Sequence, residues 1–232
     1  MEKREIKIII TEDGSNSLYV PELNETYHSF HGAINESEHV FIQKGLNFWC
    51  EKHSSQEISI LEIGFGTGLN ALLSLRQVLK TGLQINYTTL EPYPLDGVIV
   101  SKLNYGDLMK DNQLADFFGQ LHKAPWNEVF PISDSFRLNK QNKKLEDFEG
   151  KARAFDLIYF DAFAPNKQAE LWTLESLQKA VEMLKEEGVL VTYCAKGQFK
   201  RDLKTAGMEV ETLDGPPGKK EMVRGIKAKN QD

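Results

Sequence analysis

The sequence predicts an α/β protein: a Rossmann-like, largely parallel sheet with antiparallel terminal strands, preceded by a small N-terminal β-hairpin and a helix. Three observations carry this. Residues 58–70, ISILEIGFGTGLN, run as an apolar strand into three glycines spaced by single residues, then resume as a helix. A strand, tight loop and helix in that order let a ligand lie against the main chain. Strand-like and helix-like runs then alternate, as a sheet with crossover helices requires. Finally, the β-rich runs 208–213 and 222–228 are joined by Asp214-Gly215-Pro216-Pro217-Gly218, too few residues for a crossover helix, so these two pair antiparallel.

Each element has its own warrant. Residues 5–11 and 17–20 are β-rich and flank Asp13-Gly14-Ser15-Asn16, which reads as a hairpin. Val40, Phe41, Ile42, Leu46, Trp49 and Cys50 give 36–52 a helical pattern. This entry segment, 1–57, packs on the main domain, 58–232. There the order is strand 58–63, helix 69–80, strand 85–91, a helical region over 94–120, strand 136–140, a buried strand 155–160, helix 170–187 stopped by Gly188, and strand 188–194. No repeat or low-complexity segment interrupts it.

At 232 residues, with 41% hydrophobic and 27% charged residues, the chain suits one substantial soluble domain. No apolar run approaches the ~20 residues of a membrane span. Residues 1–10, MEKREIKIII, lack a signal-peptide core, and the expected location is cytoplasmic. Cys50 and Cys194 read as small core residues, and the five histidines lack a ligand spacing, so no metal is expected. The net charge of −6 argues against a general nucleic-acid binder, yet 196–232 holds nine basic residues against six acids, Asp232 among them. Such a tail can hold a phosphate backbone locally or be only a solvated face.

The glycine loop narrows the ligand. Gly64, Gly66 and Gly68 permit a tight turn, but Leu69 stands where a dinucleotide fingerprint places a further glycine. Glu62 brings a carboxylate to the loop, which suits a cofactor with a cationic amino-acid end and repels a pyrophosphate. That points to S-adenosylmethionine. Glu91 closes the next strand beside the loop, where an acid can accept from both ribose hydroxyls. Asp161 closes the buried strand 155–160 and reaches the cleft mouth, ahead of Phe163 and Pro165. It is placed either to receive an acceptor nucleophile or to cap the following turn.

From Asp161 to Trp172 the run Asp-Ala-Phe-Ala-Pro-Asn-Lys-x-x-Glu-x-Trp resembles the methyltransferase module that finishes 5-methylaminomethyl-2-thiouridine in tRNA. Asp13-Gly14-Ser15, Glu25-Thr26-Tyr27-His28-Ser29, Gly32-Ala33 and His39-Val40-Phe41 are similar to that family's entry segment. The loop from Glu62 to Asn70 is similar to its cofactor loop, and 215–224, GPPGKKEMVR, to its closing hairpin. The resemblance, which covers nearly the whole chain, implies a Rossmann-like S-adenosylmethionine-dependent methyltransferase of the stand-alone MnmD type. It implies methylation of the primary amine of 5-aminomethyl-2-thiouridine at the wobble position, in the tRNA anticodon loop. The family's other form carries a C-terminal flavin-dependent oxidase; the expectation here is no flavin domain, with the aminomethyl substrate supplied by another tRNA-modifying enzyme.

The resemblance implies roles residue by residue. Asp161 orients the amine and helps take its proton, while Glu62, Gly64, Gly66, Gly68, Asn70 and Glu91 hold the cofactor. Such methyltransferases carry an acid after the third strand, near the adenine amino group; here Gln141-Asn142 follows Lys140, and Asn142 is the replacement. Tyr27 and Phe163 flank the everted base, with core packing the alternative for Tyr27 as for Trp172. Lys196, Lys219, Lys220 and Arg224 are phosphate contacts or a solvated face. Two rival readings are an aminopropyltransferase acting on a polyamine, which clustered cleft acids would favour, and a tRNA-binding module with a relic cofactor fold.

Overall fold

The computed structural model describes residues 5–229; Asp232, counted above in the tail, lies outside the described residues. An eight-stranded sheet forms the centre, in the order β10-β11-β9-β8-β4-β5-β7-β6. The strands are β4 (Glu57–Ile63), β5 (Gln84–Leu90), β6 (Val129–Ser133), β7 (Phe136–Gln141), β8 (Phe155–Phe160), β9 (Leu184–Thr192), β10 (Met208–Asp214) and β11 (Glu221–Lys227). Five of them, β9-β8-β4-β5-β7, run parallel. The terminal pair is antiparallel as expected: β10 pairs β11 from Met208↔Lys227 to Asp214↔Glu221, and β11 pairs β9. Burial on both faces explains the sequence of β8, whose six residues are all buried.

In front of the sheet lies a small antiparallel layer, β1 (Lys7–Ile10), β2 (Asn16–Val20) and a third short strand, β3 (Glu25–Thr26), which the sequence pattern did not reveal. Next comes one continuous helical stretch, α1 (Ala33–Ser37), a π-helical segment Glu38–Asn47 and α2 (Phe48–Lys52). Its apolar face supplies Val40, Phe41, Ile42, Leu46 and Trp49 to the same core as Ile60, Leu72, Tyr87 and Tyr159. The Phe41 and Tyr159 rings lie 5.2 Å apart. Helix α3 (Leu69–Thr81) covers the sheet beside it, and Arg76 on α3 is ion-paired with Glu38.

Four expectations are corrected. The helical region over 94–120 is three helices, α4 (Gly97–Val100), α5 (Tyr105–Leu108) and α6 (Asn112–Lys123), because Asp96 and Asp111 each accept backbone N–H groups and restart the helix. The helix over 170–187 is a 3₁₀ turn, Ala169–Trp172, then α7 (Leu174–Met183) behind the Thr173 cap. It stops before Gly188, since β9 already starts at Leu184 and bulges against β8. Strand β6, antiparallel to β7 at the sheet edge, went unread because Pro131 interrupts it. Cys50 is exposed, and only Cys194 is buried. A final helix, α8 (Gly197–Thr205), links β9 to β10.

Among the described residues no helix is long and apolar enough to cross a membrane.

Candidate active site

Strand order reverses between β4 and β8, so the crevice beyond their carboxyl ends is where ligands bind in such sheets. Gly64 and Asp161 follow those two strands directly. Asp161 N–H donates to the Ile63 carbonyl at 3.0 Å, and Gly64 N–H to the Leu90 carbonyl at 2.9 Å. Gly64 has φ +99°, and a Cβ there would collide with the Asp161 carbonyl oxygen. Only glycine lets the two strand ends close up this far. A cavity of about 300 Å³ opens over them.

One end of the cavity is mostly main chain. Gly64, Phe65, Gly66 and Thr67 line it, together with Asn70, Leu90, Glu91 and Leu145. Glu91 reaches back to the loop: one carboxylate oxygen accepts from Gly66 N–H at 3.0 Å, the other from Tyr93 N–H at 2.8 Å. The loop is also held by two histidines. His28 meets the Thr67 hydroxyl at 2.8 Å, and His122 the Thr67 carbonyl at 3.0 Å. Burial lowers both imidazoles to about 4, so they are neutral at physiological pH.

The other end is built from side chains. Asp161 accepts from the Asn70 amide at 2.8 Å. Burial, reinforced by the nearby Glu36 carboxylate, raises its carboxyl to about 7, against the Asn70 hydrogen bond and the Lys219 charge. Tyr27 and Phe163 form an edge-to-face pair on the wall, with centroids 5.1 Å apart. Phe163 is fixed at both backbone groups: its N–H donates to Gln168 Oε1 at 3.2 Å, and its carbonyl accepts from Trp172 Nε1 at 2.8 Å. Trp172 is therefore a buried support for this lip. Glu36, Tyr193 and Lys219 also line the wall, as do Glu25 and Glu170.

Several expected site residues are placed elsewhere. Glu62 is fully buried beneath the loop, accepting from Thr89 Oγ1 at 2.8 Å, and is not on the cavity wall. Burial lifts its carboxyl well above the usual range, against the hydrogen bond from Thr89. Gly68 is the left-handed cap of α3, wedged against His122 and Phe65, rather than wall. Asn142 is exposed and off the wall; its amide donates to the Glu91 carbonyl at 2.9 Å. Leu145 faces the cavity from this stretch instead.

The basic residues divide as well. Arg224 is buried, donating to Glu211 at 2.6 Å and to the Lys44 carbonyl at 3.2 Å, with its guanidinium 3.4 Å from the Phe48 centroid. These contacts give it a structural role. Lys219 turns into the cavity, while Lys196 and Lys220 are exposed.

The fold is the Rossmann-like fold of S-adenosylmethionine-dependent methyltransferases, and residues 137–228 match a family model described as S-adenosyl-L-methionine-dependent methyltransferase. More particularly, the chain is similar to proteins named tRNA 5-methylaminomethyl-2-thiouridine biosynthesis bifunctional protein MnmC. That of Leptospira interrogans is 26% identical over 224 residues, covering 88% of this chain and 33% of the relative. That of Cupriavidus metallidurans is 28% identical over 228 residues, covering 92% and 33%. The chain thus spans about a third of these relatives' length. Among solved structures, MNMC2 from Aquifex aeolicus superposes with a TM-score of 0.75 at 24% identity, over 98% of this chain and 72% of that one. Spermidine synthase from Thermotoga maritima does so with a TM-score of 0.57 at 19% identity, over 100% and 72%.

Proposed function

We propose that this chain methylates the primary amine of 5-aminomethyl-2-thiouridine at the tRNA wobble position, using S-adenosylmethionine, and works in the cytoplasm on the anticodon loop. The observation that carries the reading is the juxtaposition of Asp161, the Tyr27–Phe163 aromatic pair and the glycine loop in one cavity, in a chain similar to MnmC over most of its length. The residues present fit the cofactor. Backbone at Gly64 and Gly66 forms a wall, Glu91 can accept from ribose hydroxyls, and Asn70 Oδ1 is buried with no hydrogen-bond partner. When bound, S-adenosylmethionine supplies a methyl group already activated by its sulfonium.

The chain's own tasks are then binding, orientation and proton removal. An alkylamine has a reference pKa near ~10.4, so it arrives as ammonium and must lose a proton before its lone pair can attack. Asp161, with a carboxyl near 7, is ionised in part of the molecules at neutral pH and can accept from that ammonium while fixing its direction. Tyr27 and Phe163 give the base faces to pack against. Exposed Lys196 and Lys220 supply phosphate contacts beyond the cavity. The test is transfer of labelled methyl from S-adenosylmethionine to tRNA carrying 5-aminomethyl-2-thiouridine, with spermidine-pathway diamines as competing acceptors. Label in the methylaminomethyl nucleoside is expected; label only in a diamine would replace this reading.

That alternative, an aminopropyltransferase, draws on one specific observation: Asp161 and Glu36 are among several carboxylates that line the cavity, with Glu25, Glu91, Glu146 and Glu170.

A further inference from the structure

Two acids in one pocket are what a diamine needs, one for each ammonium. Here one of them is already engaged. Glu36, buried in α1, accepts from Ser29 N–H at 2.7 Å through one oxygen and is ion-paired with Lys219 through the other. Lys219 comes from the turn between β10 and β11. Its ammonium lies 3.8 Å from the Tyr193 ring centroid, within cation–π range. The Tyr193 hydroxyl in turn donates to the Ala162 carbonyl at 2.6 Å, next to Asp161. The lysine is therefore held by a carboxylate and an aromatic face inside the cavity, where the sequence alone suggested a surface phosphate contact.

We infer that Lys219 is an internal counter-ion that closes the second ammonium seat, so that the acceptor pocket takes one amine beside Asp161. A fixed cation disfavours a second one nearby, and by the same repulsion it favours the neutral, nucleophilic form of the amine that does bind. The selectivity half stands on the pocket itself; the half concerning the reacting amine rests on the function proposed above. The other titratable groups facing this pair do not compete as cations: burial keeps His28 neutral above about 4 and pushes the Tyr193 hydroxyl and Cys194 thiol up, so both stay protonated. Glu25 lines the same cavity and adds a negative charge that Tyr193 also feels, so it too is no competing cation.

The experiment compares wild type with Lys219→Met, Lys219→Gln and the charge-keeping Lys219→Arg, each first checked for folding by thermal melting. Calorimetry at pH 7 measures binding of 1,3-diaminopropane and of propylamine. The preference for the diamine should rise about tenfold in the Met and Gln variants and stay near wild type in Arg. Glu36→Gln, which removes the second acid, should show no such gain and serves if the lysine variants do not fold. An unchanged diamine preference in the neutral variants, or a gain in Glu36→Gln, overturns the inference. Where methyl transfer is observed, the acidic limb of its pH profile should move up by about one unit in Met and Gln and return in Arg; an unmoved limb overturns the catalytic half. Absence of transfer by wild type counts against the proposed substrate alone, since the amine-binding comparison does not depend on it.

Discussion

The two ends of the cavity are assembled in different ways. At the glycine-loop end the groups facing a ligand are mostly backbone from one short stretch, braced by Glu91 at the end of the next strand. At the Asp161 end the wall is side chains from segments far apart in sequence: Tyr27 and Glu36 from the entry segment, Asp161 and Phe163 after β8, Tyr193 after β9 and Lys219 from the last hairpin. The first end depends on local geometry, with little tolerance for a Cβ. The second depends on charge balance among groups that only folding brings together.

Asp161→Asn should have the largest effect and should fall on turnover alone, lowering kcat by about a hundredfold or more with cofactor affinity retained. It carries a stability signature too. Asp161 is raised to about 7 in the fold, so the native state holds a proton that the unfolded chain releases, and wild-type stability falls as pH rises from about 4 through 7. Asparagine cannot ionise, so the variant should gain in urea stability relative to wild type at pH 8, and the gain should shrink toward pH 4. His28 and His122, lowered to about 4, contribute the opposite slope over about 4–6.5 in both proteins. The difference between variant and wild type isolates Asp161. Intact turnover in Asp161→Asn would break the division between the two ends.

Gly64→Ala should act at both ends, because the collision is with the Asp161 carbonyl and the backbone lies at φ +99°. A loss of about 3 kcal/mol in urea unfolding is expected, with cofactor binding lost alongside. Arg224→Ala should cost about 1–2 kcal/mol through lost stacking on Phe48 and the abandoned Glu211, while tRNA affinity stays as it was. A selective loss of tRNA affinity would restore Arg224 as a phosphate contact. Glu91→Ala should weaken S-adenosylmethionine binding by about tenfold, since it frees the Gly66 and Tyr93 N–H groups and removes the acceptor for a ribose. Smallest of all, Lys220→Ala should leave stability unchanged and only reduce the salt dependence of tRNA binding by about one charge.

Much of this protein was legible before folding. A run such as LEIGFGTGLN states its own local structure, because strand periodicity, glycine freedom and helix pattern are all short-range. The direction of the last two strands followed from the length of their connection. Burial of Glu62 was not legible: an acid next to a glycine loop looks exposed in sequence, whereas the end of β4 packs it beneath the loop against Thr89. The place of Asn142 was not legible either, since its amide donates to the Glu91 carbonyl across the fold. Lysine and arginine in the closing hairpin look alike in sequence, yet one faces the cavity, one the solvent and one the core.

What the sequence by itself determined is the alternation of strands and helices, the loop that bends at Gly64 and the acid that ends the buried strand at Asp161, for these depend on residues within one strand–loop–helix unit. Only the tertiary structure decided which charges meet. Glu36 and Lys219 pair across the fold, and His28 and His122 converge on Thr67 from opposite sides of the sequence. The energy of such contacts depends on distance and burial, and neither is set until the sheet has closed.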